Sequence, residues 1–141
     1  MTITIRKART IIKATLAKGR EMGLKPLSVV VLDAGGHPVA FERDDGSSVG
    51  RFELARGKAY GCVMMGLGGT AINARAESQP YFMNAMNGVY DGRLVPVKGG
   101  VLVRDGRGNV LGAVGVTGDT SDNDAIAAVA GIEAAGFRAE P

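Results

Sequence analysis

The sequence predicts an α+β sandwich built on a largely antiparallel sheet, and three observations carry that reading. Helix-period segments open and close the chain, two pairs of strand-like segments lie between them, and each pair is joined by a short turn rich in Gly, Asp and Asn. The 141 residues suit one domain spanning 1–141, large enough to bury about two-thirds of its unfolded surface.

From Ile5, the positions Ala8, Ile12, Thr15 or Leu16, and Met22 recur at helical spacing, while Arg6, Lys7, Lys13, Lys18 and Arg20 turn away from that stripe. Thr4 is the expected N-cap and Gly23 the C′ residue, with Pro26 just beyond. Residues 27–32 are apolar on both faces after Ser28, the pattern of a central strand covered on two sides. The turn Asp33-Ala34-Gly35-Gly36-His37 leads into a second strand, 38–43. Ser47 or Ser48 is expected to open a helix running to about Met65, buried through Phe52, Ala55, Ala59 and Cys62 or Val63. Gly66 to Thr70 breaks it and suits a flexible lid; one or two short helices interrupted at Pro80 then cover 71–88. Residues 101–104 and 110–117 form a hairpin about Asp105-Gly106-Arg107-Gly108-Asn109. A last helix begins at Ser121, where Ser121 and Asp124 have capping-box spacing, and ends at Gly136.

The second hairpin strand carries the strongest functional signal. Alternation puts Val110, Gly112, Val114 and Val116 on one face, and Leu111, Ala113, Gly115 and Thr117 on the other. That second face shrinks along its length. Interior glycine weakens a strand, so Gly112, Gly115 and Gly118 call for a bulge, close helix packing, or a ligand lying on the sheet. A ligand pocket would be floored by Gly99, Gly100, Ala113, Gly115 and Thr117; helix packing is the competing explanation.

Composition narrows the alternatives. A single cysteine, Cys62, excludes an internal disulfide framework, and no N-terminal segment joins a basic start to an apolar run and a cleavage site, so a cytoplasmic setting is expected. No apolar run has transmembrane length, so no membrane partner is expected. A net charge of +3 with interspersed acids, and only four Phe and three Tyr, argue against nucleic acid. His37 is the sole histidine, which excludes a multi-histidine metal site, and no metal is expected. Arg43, ending the second strand, and Lys58, one position before the buried Ala59, are candidates to clamp a carboxylate between a planar fork and a point charge. Asp119, Asp122 and Asp124 crowd the start of the last helix as caps and first-turn acids, a corner an anionic ligand should avoid.

Several of these blocks resemble a known family. Gly99-Gly100-Val101, the following hairpin and Gly112-Ala113-Val114-Gly115-Val116-Thr117-Gly118 with Asp124 six residues on resemble the GlcG/HbpS family, the haem-degrading or DUF336 domain also found in the C-terminal half of PduO proteins. Val31 to Ala40 with Arg43 and Asp44, then Gly57-Lys58-Ala59-Tyr60, resemble it in the same order. The resemblance implies a profilin-like sandwich with a five-stranded sheet, haem as a candidate ligand, and assembly as a homo-oligomer. The last helix, with Ala127, Gly131 and Ala135 at four-residue spacing, would permit close helix contacts in such an assembly. Cys62, Met64, Met65, Tyr60, Tyr81 and Tyr90, as well as His37, are chemically able to ligate haem iron. The Glu-x-x-Glu pair through which relatives bind iron is missing here.

The expected function is therefore binding of a small carboxylate-bearing ligand, with Arg43, Lys58, Gly99, Gly100, Gly115 and Thr117 as contact residues. The alternative is a small isomerase, tautomerase or hydrolase acting on an organic acid, with Lys58 or His37 as acid/base and Arg43 orienting the carboxylate. A scaffold without a ligand is a third reading.

Overall fold

A computed structural model describes all 141 residues. The chain runs α1 (Ile5–Glu21), β1 (Ser28–Asp33), β2 (Pro38–Arg43), α2 (Arg51–Met65), α3 (Gly69–Ser78), α4 (Pro80–Val89), β3 (Gly100–Arg104), β4 (Val110–Thr117), α5 (Ser121–Ala134) and β5 (Arg138–Glu140). The five strands form one sheet in the order β2-β1-β4-β3-β5, and every pairing is antiparallel. This is the expected α+β sandwich with its five-stranded sheet, β5 forming one edge.

The two sheet faces are covered by different helices. On one, α1 and α5 bury Ile11, Ile12, Leu16, Ala128 and Ile132 against Val29, Val31, Val101, Val103, Val114 and Val116. On the other, α2 brings Ala55, Ala59 and Cys62 onto Val30, Leu32, Leu102 and Ala113. The outer side of α2 is covered in turn, because a side chain at Gly57 or Gly61 would strike Val95 or Leu94. The α3–α4 pair lies outside this layer, and Met83 is the only buried residue of α4.

Local signals account for most boundaries. The Thr4 side chain accepts from the Lys7 N–H at 3.2 Å and Gly23 takes a left-handed φ of 68° after α1. Pro80 occupies the start of α4, where its missing N–H costs nothing. Other boundaries differ from expectation. α2 is capped by Gly50 rather than Ser47 or Ser48. At α5 the cap is Thr120, whose hydroxyl accepts from Asn123 N–H, which leaves Asp124 free to turn inward. The register shift beside Gly112 makes Leu111 a bulge residue packed in the α1/α5 core, so strict alternation fails there. No helix is long and apolar enough to cross a membrane.

Candidate functional site

The hollow face of β4 is occupied by helix backbone. A Cβ on Gly115 would collide with the Ala55 carbonyl, and one on Gly100 with the Lys58 carbonyl and Cys62 Sγ. Gly99, at φ 112°, lies under the Lys58 side chain, with a would-be Cβ 2.9 Å from its Nζ. Gly99, Gly100, Ala113 and Gly115 thus do not floor a pocket within the chain; they let α2 sit closer to the sheet than side chains would allow. Helix packing, the competing explanation, accounts for the missing side chains.

That close approach draws Lys58 inside. Only 5% of its side chain is exposed, and Nζ donates to the Val116 carbonyl at 2.9 Å and to Asp124 Oδ2 at 3.2 Å. Asp124, 1% exposed, also accepts the Asp119 N–H at 3.0 Å. Burial pushes the Lys58 pKa down and the Asp124 pKa up, while their mutual attraction opposes both shifts. The pair ties α2 to the start of α5 around the end of β4, the central strand. Arg51 lies near enough to Lys58 for their like charges to oppose each other, lowering its pKa further.

Arg51 is the residue that the sequence reading missed. Its Nε donates to Ser48 Oγ at 2.8 Å and its Nη1 to Thr117 Oγ1 at 2.8 Å, so two hydroxyls hold the guanidinium over the open end of the α2–sheet interface. No carboxylate pairs with it. The Ser48-x-x-Arg51 spacing at the expected helix start was the available signal. Register puts Ser28 opposite both Arg43 on β2 and Thr117 on β4, so the three share the face carrying α2. Ser28 Oγ is buried there without a partner. Arg51, Lys25, Ser47, Ser48 and Gly118 enclose a polar cleft of about 210 Å³.

The other expected site residues are dispersed. Arg43 is exposed and also borders an open cleft of about 590 Å³ against α1, with Arg9, Lys13 and Arg20 facing Glu42, Asp44 and Asp45. Its strand lies two places from β4, and the Lys58 ammonium is already engaged by the Val116 carbonyl and Asp124 rather than turned towards Arg43. His37 is 80% exposed in the β1–β2 turn, its Nδ1 3.4 Å from Asp33 Oδ1, and lies at the far end of β1 from Ser28. Lys58, His37 and Arg43 therefore do not converge as a catalytic set. Cys62 is fully buried and burial pushes its thiol pKa up to about 12, which removes it as a thiolate ligand.

Two further expectations change. A Cβ on Gly68 would strike the backbone of Glu140 and Pro141, and one on Gly69 the Gly100 carbonyl, so 66–70 is a packed connection and not a lid. The small stripe of α5 meets α1 of the same chain, Gly131 lying against Thr15 and the Ile11 carbonyl. The acidic corner is locally balanced. Asp122 pairs with Lys98 at 2.8 Å, Asp124 with Lys58, and Asp119 accepts from Lys25 N–H and the Asn123 amide.

The same fold is found in several solved structures. The crystal structure of a PduOC:haem complex superposes with a TM-score of 0.87 over 100% of both chains at 20% identity. Klebsiella pneumoniae protein ORFY, described as DUF336, gives 0.85 at 26% identity over 96% of this chain and 92% of that one. A double mutant of Streptomyces reticuli HbpS gives 0.81 at 22% identity over 94% and 86%. No curated protein matches the sequence. The family described as haem degrading protein HbpS-like matches residues 3–133, nearly the whole fold and every residue of the Arg51–Thr117 corner, and the chain belongs to that HbpS-like (DUF336) family.

Proposed function

We propose that this chain binds a small carboxylate-bearing ligand, haem being the leading candidate, at the end of the sheet where Thr117 meets Arg51. The observation that carries the proposal is the Arg51 guanidinium itself. Two hydroxyls fix it in place, no acid neutralises it, and its remaining N–H groups suit a carboxylate fork. Thr117 acts by positioning Arg51, and Arg43 stands on the same face as an outer cation. Gly99, Gly100 and Gly115 act indirectly, since they let α2 down and seat the Lys58–Asp124 pair beneath the corner. Membership of the HbpS-like family and a neighbour crystallised with haem support haem as the candidate.

The corner fits a propionate better than a porphyrin. Its cleft is polar and about 210 Å³, whereas a macrocycle needs an apolar slot of several hundred Å³. The ring would therefore lie outside the cleft. Apolar surface left uncovered on Tyr81 and Val89 of α4, 71% and 66% exposed, suits self-association, and a second copy of the chain is the partner we assign to it. Acid/base catalysis by Lys58 is the weaker reading, because its ammonium is sealed from solvent and both of its hydrogen bonds stay within the protein.

Haem titration followed at the Soret band tests the proposal. Wild-type protein should bind with a defined end point, Arg51→Gln should weaken binding by about tenfold, and Arg43→Ala by less. Equal haem affinity in wild type and Arg51→Gln would place the ligand elsewhere.

A further inference from the structure

We infer that the cleft between Lys25 and Arg51 is a subsite for a free compact oxyanion, a carboxylate or a phosphate, and that it works without any larger ligand. The inference rests on the reading of Arg51 as a ligand-facing cation, and adds the rest of the lining and the size of the guest.

The lining is uniform in character. Lys25 and Arg51 contribute two basic residues to the lining, Ser47 and Ser48 two hydroxyl residues, and Gly46, Gly118 and Pro26 the remainder. No carboxylate lines the cleft, and neither Lys25 nor Arg51 belongs to an ion pair. Asp119, whose carboxylate accepts from the Lys25 backbone N–H at 3.0 Å and the Asn123 amide at 2.9 Å, also feels the Lys25 charge, so Arg51 is the less neutralised of the two cations. Ser47, one of the lining residues, has a buried hydroxyl with no hydrogen-bond partner in the chain. Arg51 has five N–H groups and uses two of them on Ser48 and Thr117, so the rest remain for the guest.

Size selects the class of guest. A volume of about 210 Å³ lies below the roughly 300 Å³ at which pockets for drug-sized molecules begin, so the cleft takes a small dicarboxylate or a phosphate, and not a ring system. Gly118, at φ 147°, lets the chain cross directly over Pro26 and Leu27, next to Lys25 in the lining.

Isothermal titration with malonate and with inorganic phosphate, against sodium chloride at matched ionic strength, tests the inference. Wild-type protein should bind at least one of the two anions. Arg51→Gln should weaken that binding by about tenfold, Lys25→Gln by severalfold, and Arg107→Ala, in the distant hairpin turn, should leave it unchanged. Malonate alone identifies a carboxylate site and phosphate alone a phosphate site. Binding of neither anion, or equal binding by wild type and Arg51→Gln, overturns the inference. Circular dichroism checks folding, and Ser47→Ala, with an expected loss of about threefold, serves if Arg51→Gln does not fold. Haem titration of the same proteins separates the two claims. Haem bound at Arg51 with no small anion bound overturns only the subsite, whereas loss of both overturns the corner as a whole.

Discussion

The two faces of the sheet are filled in opposite ways. Under α1 and α5, space is occupied by branched side chains: Ile11, Ile12 and Ile132 against Val29, Val101, Val103, Val114 and Val116. Under α2, space is removed, because Ala55 and Ala59 meet Gly100, Ala113 and Gly115 with backbone nearly touching backbone. The first face is apolar across its centre, with solvated charge only where α1 meets the exposed end of β2. The second ends in charge and hydroxyls: Lys58 on Asp124, Arg51 on Thr117, and Ser28 beside them. Missing side chains thus mark a close approach, and the proposed ligand corner lies at the margin where that approach stops.

The largest way to break this contrast is Gly115→Leu. A side chain there must displace the Ala55 carbonyl and with it α2, and we expect no cooperative unfolding transition in urea. Next comes the buried pair. Lys58→Met alone should cost about 3–5 kcal/mol by stranding the Asp124 carboxylate, and Lys58→Met with Asp124→Leu should regain most of that loss, read from urea midpoints. Failure of the double variant to recover would mean that the pair specifies the α2–α5 geometry beyond its charge.

Much of this was legible in the sequence. The Thr4 cap, the two hairpin turns and the break at Pro80 are local signals, and each element they delimit forms. β5 was not legible, because Arg138–Glu140 is three residues long with no alternation to read and owes its strand to pairing with β3. Asp124 reads as a cap because Ser121 lies three residues before it; its actual partner, Lys58, lies 66 residues away. Gly115 announced close contact but not with what, since a bare strand looks the same beneath a helix or a ligand. Arg51 is only faintly legible, because Ser48 three residues before it is its one local signal and Thr117, which holds its other side, lies 66 residues on.

Smaller effects sharpen the contrast. Asp119 has its pKa lowered from 3.8 to about 2, chiefly by the Asn123 side-chain amide and then by the Lys25 N–H. A depressed carboxyl stabilises the fold above pH 3.8 and loses that contribution as pH falls towards 2, so Asp119→Asn should flatten the acid limb of the stability curve. Cys62, with its thiol pushed up to about 12, should react with iodoacetamide at neutral pH only when urea opens the α2 face. His37→Ala should be the mildest change, within about 0.5 kcal/mol in stability and without effect on haem affinity, because the imidazole is exposed at the far end of the sheet.

The most direct test of the account is a two-dimensional amide NMR titration with malonate and with haem. The predicted result is shifts centred on Lys25, Ser47, Ser48, Arg51, Thr117 and Gly118, while Ala55, Leu102, Ala113 and Gly115 stay fixed. Shifts centred on Ala113 and Gly115, with α2 displaced, would contradict it and return the ligand to the hollow of β4.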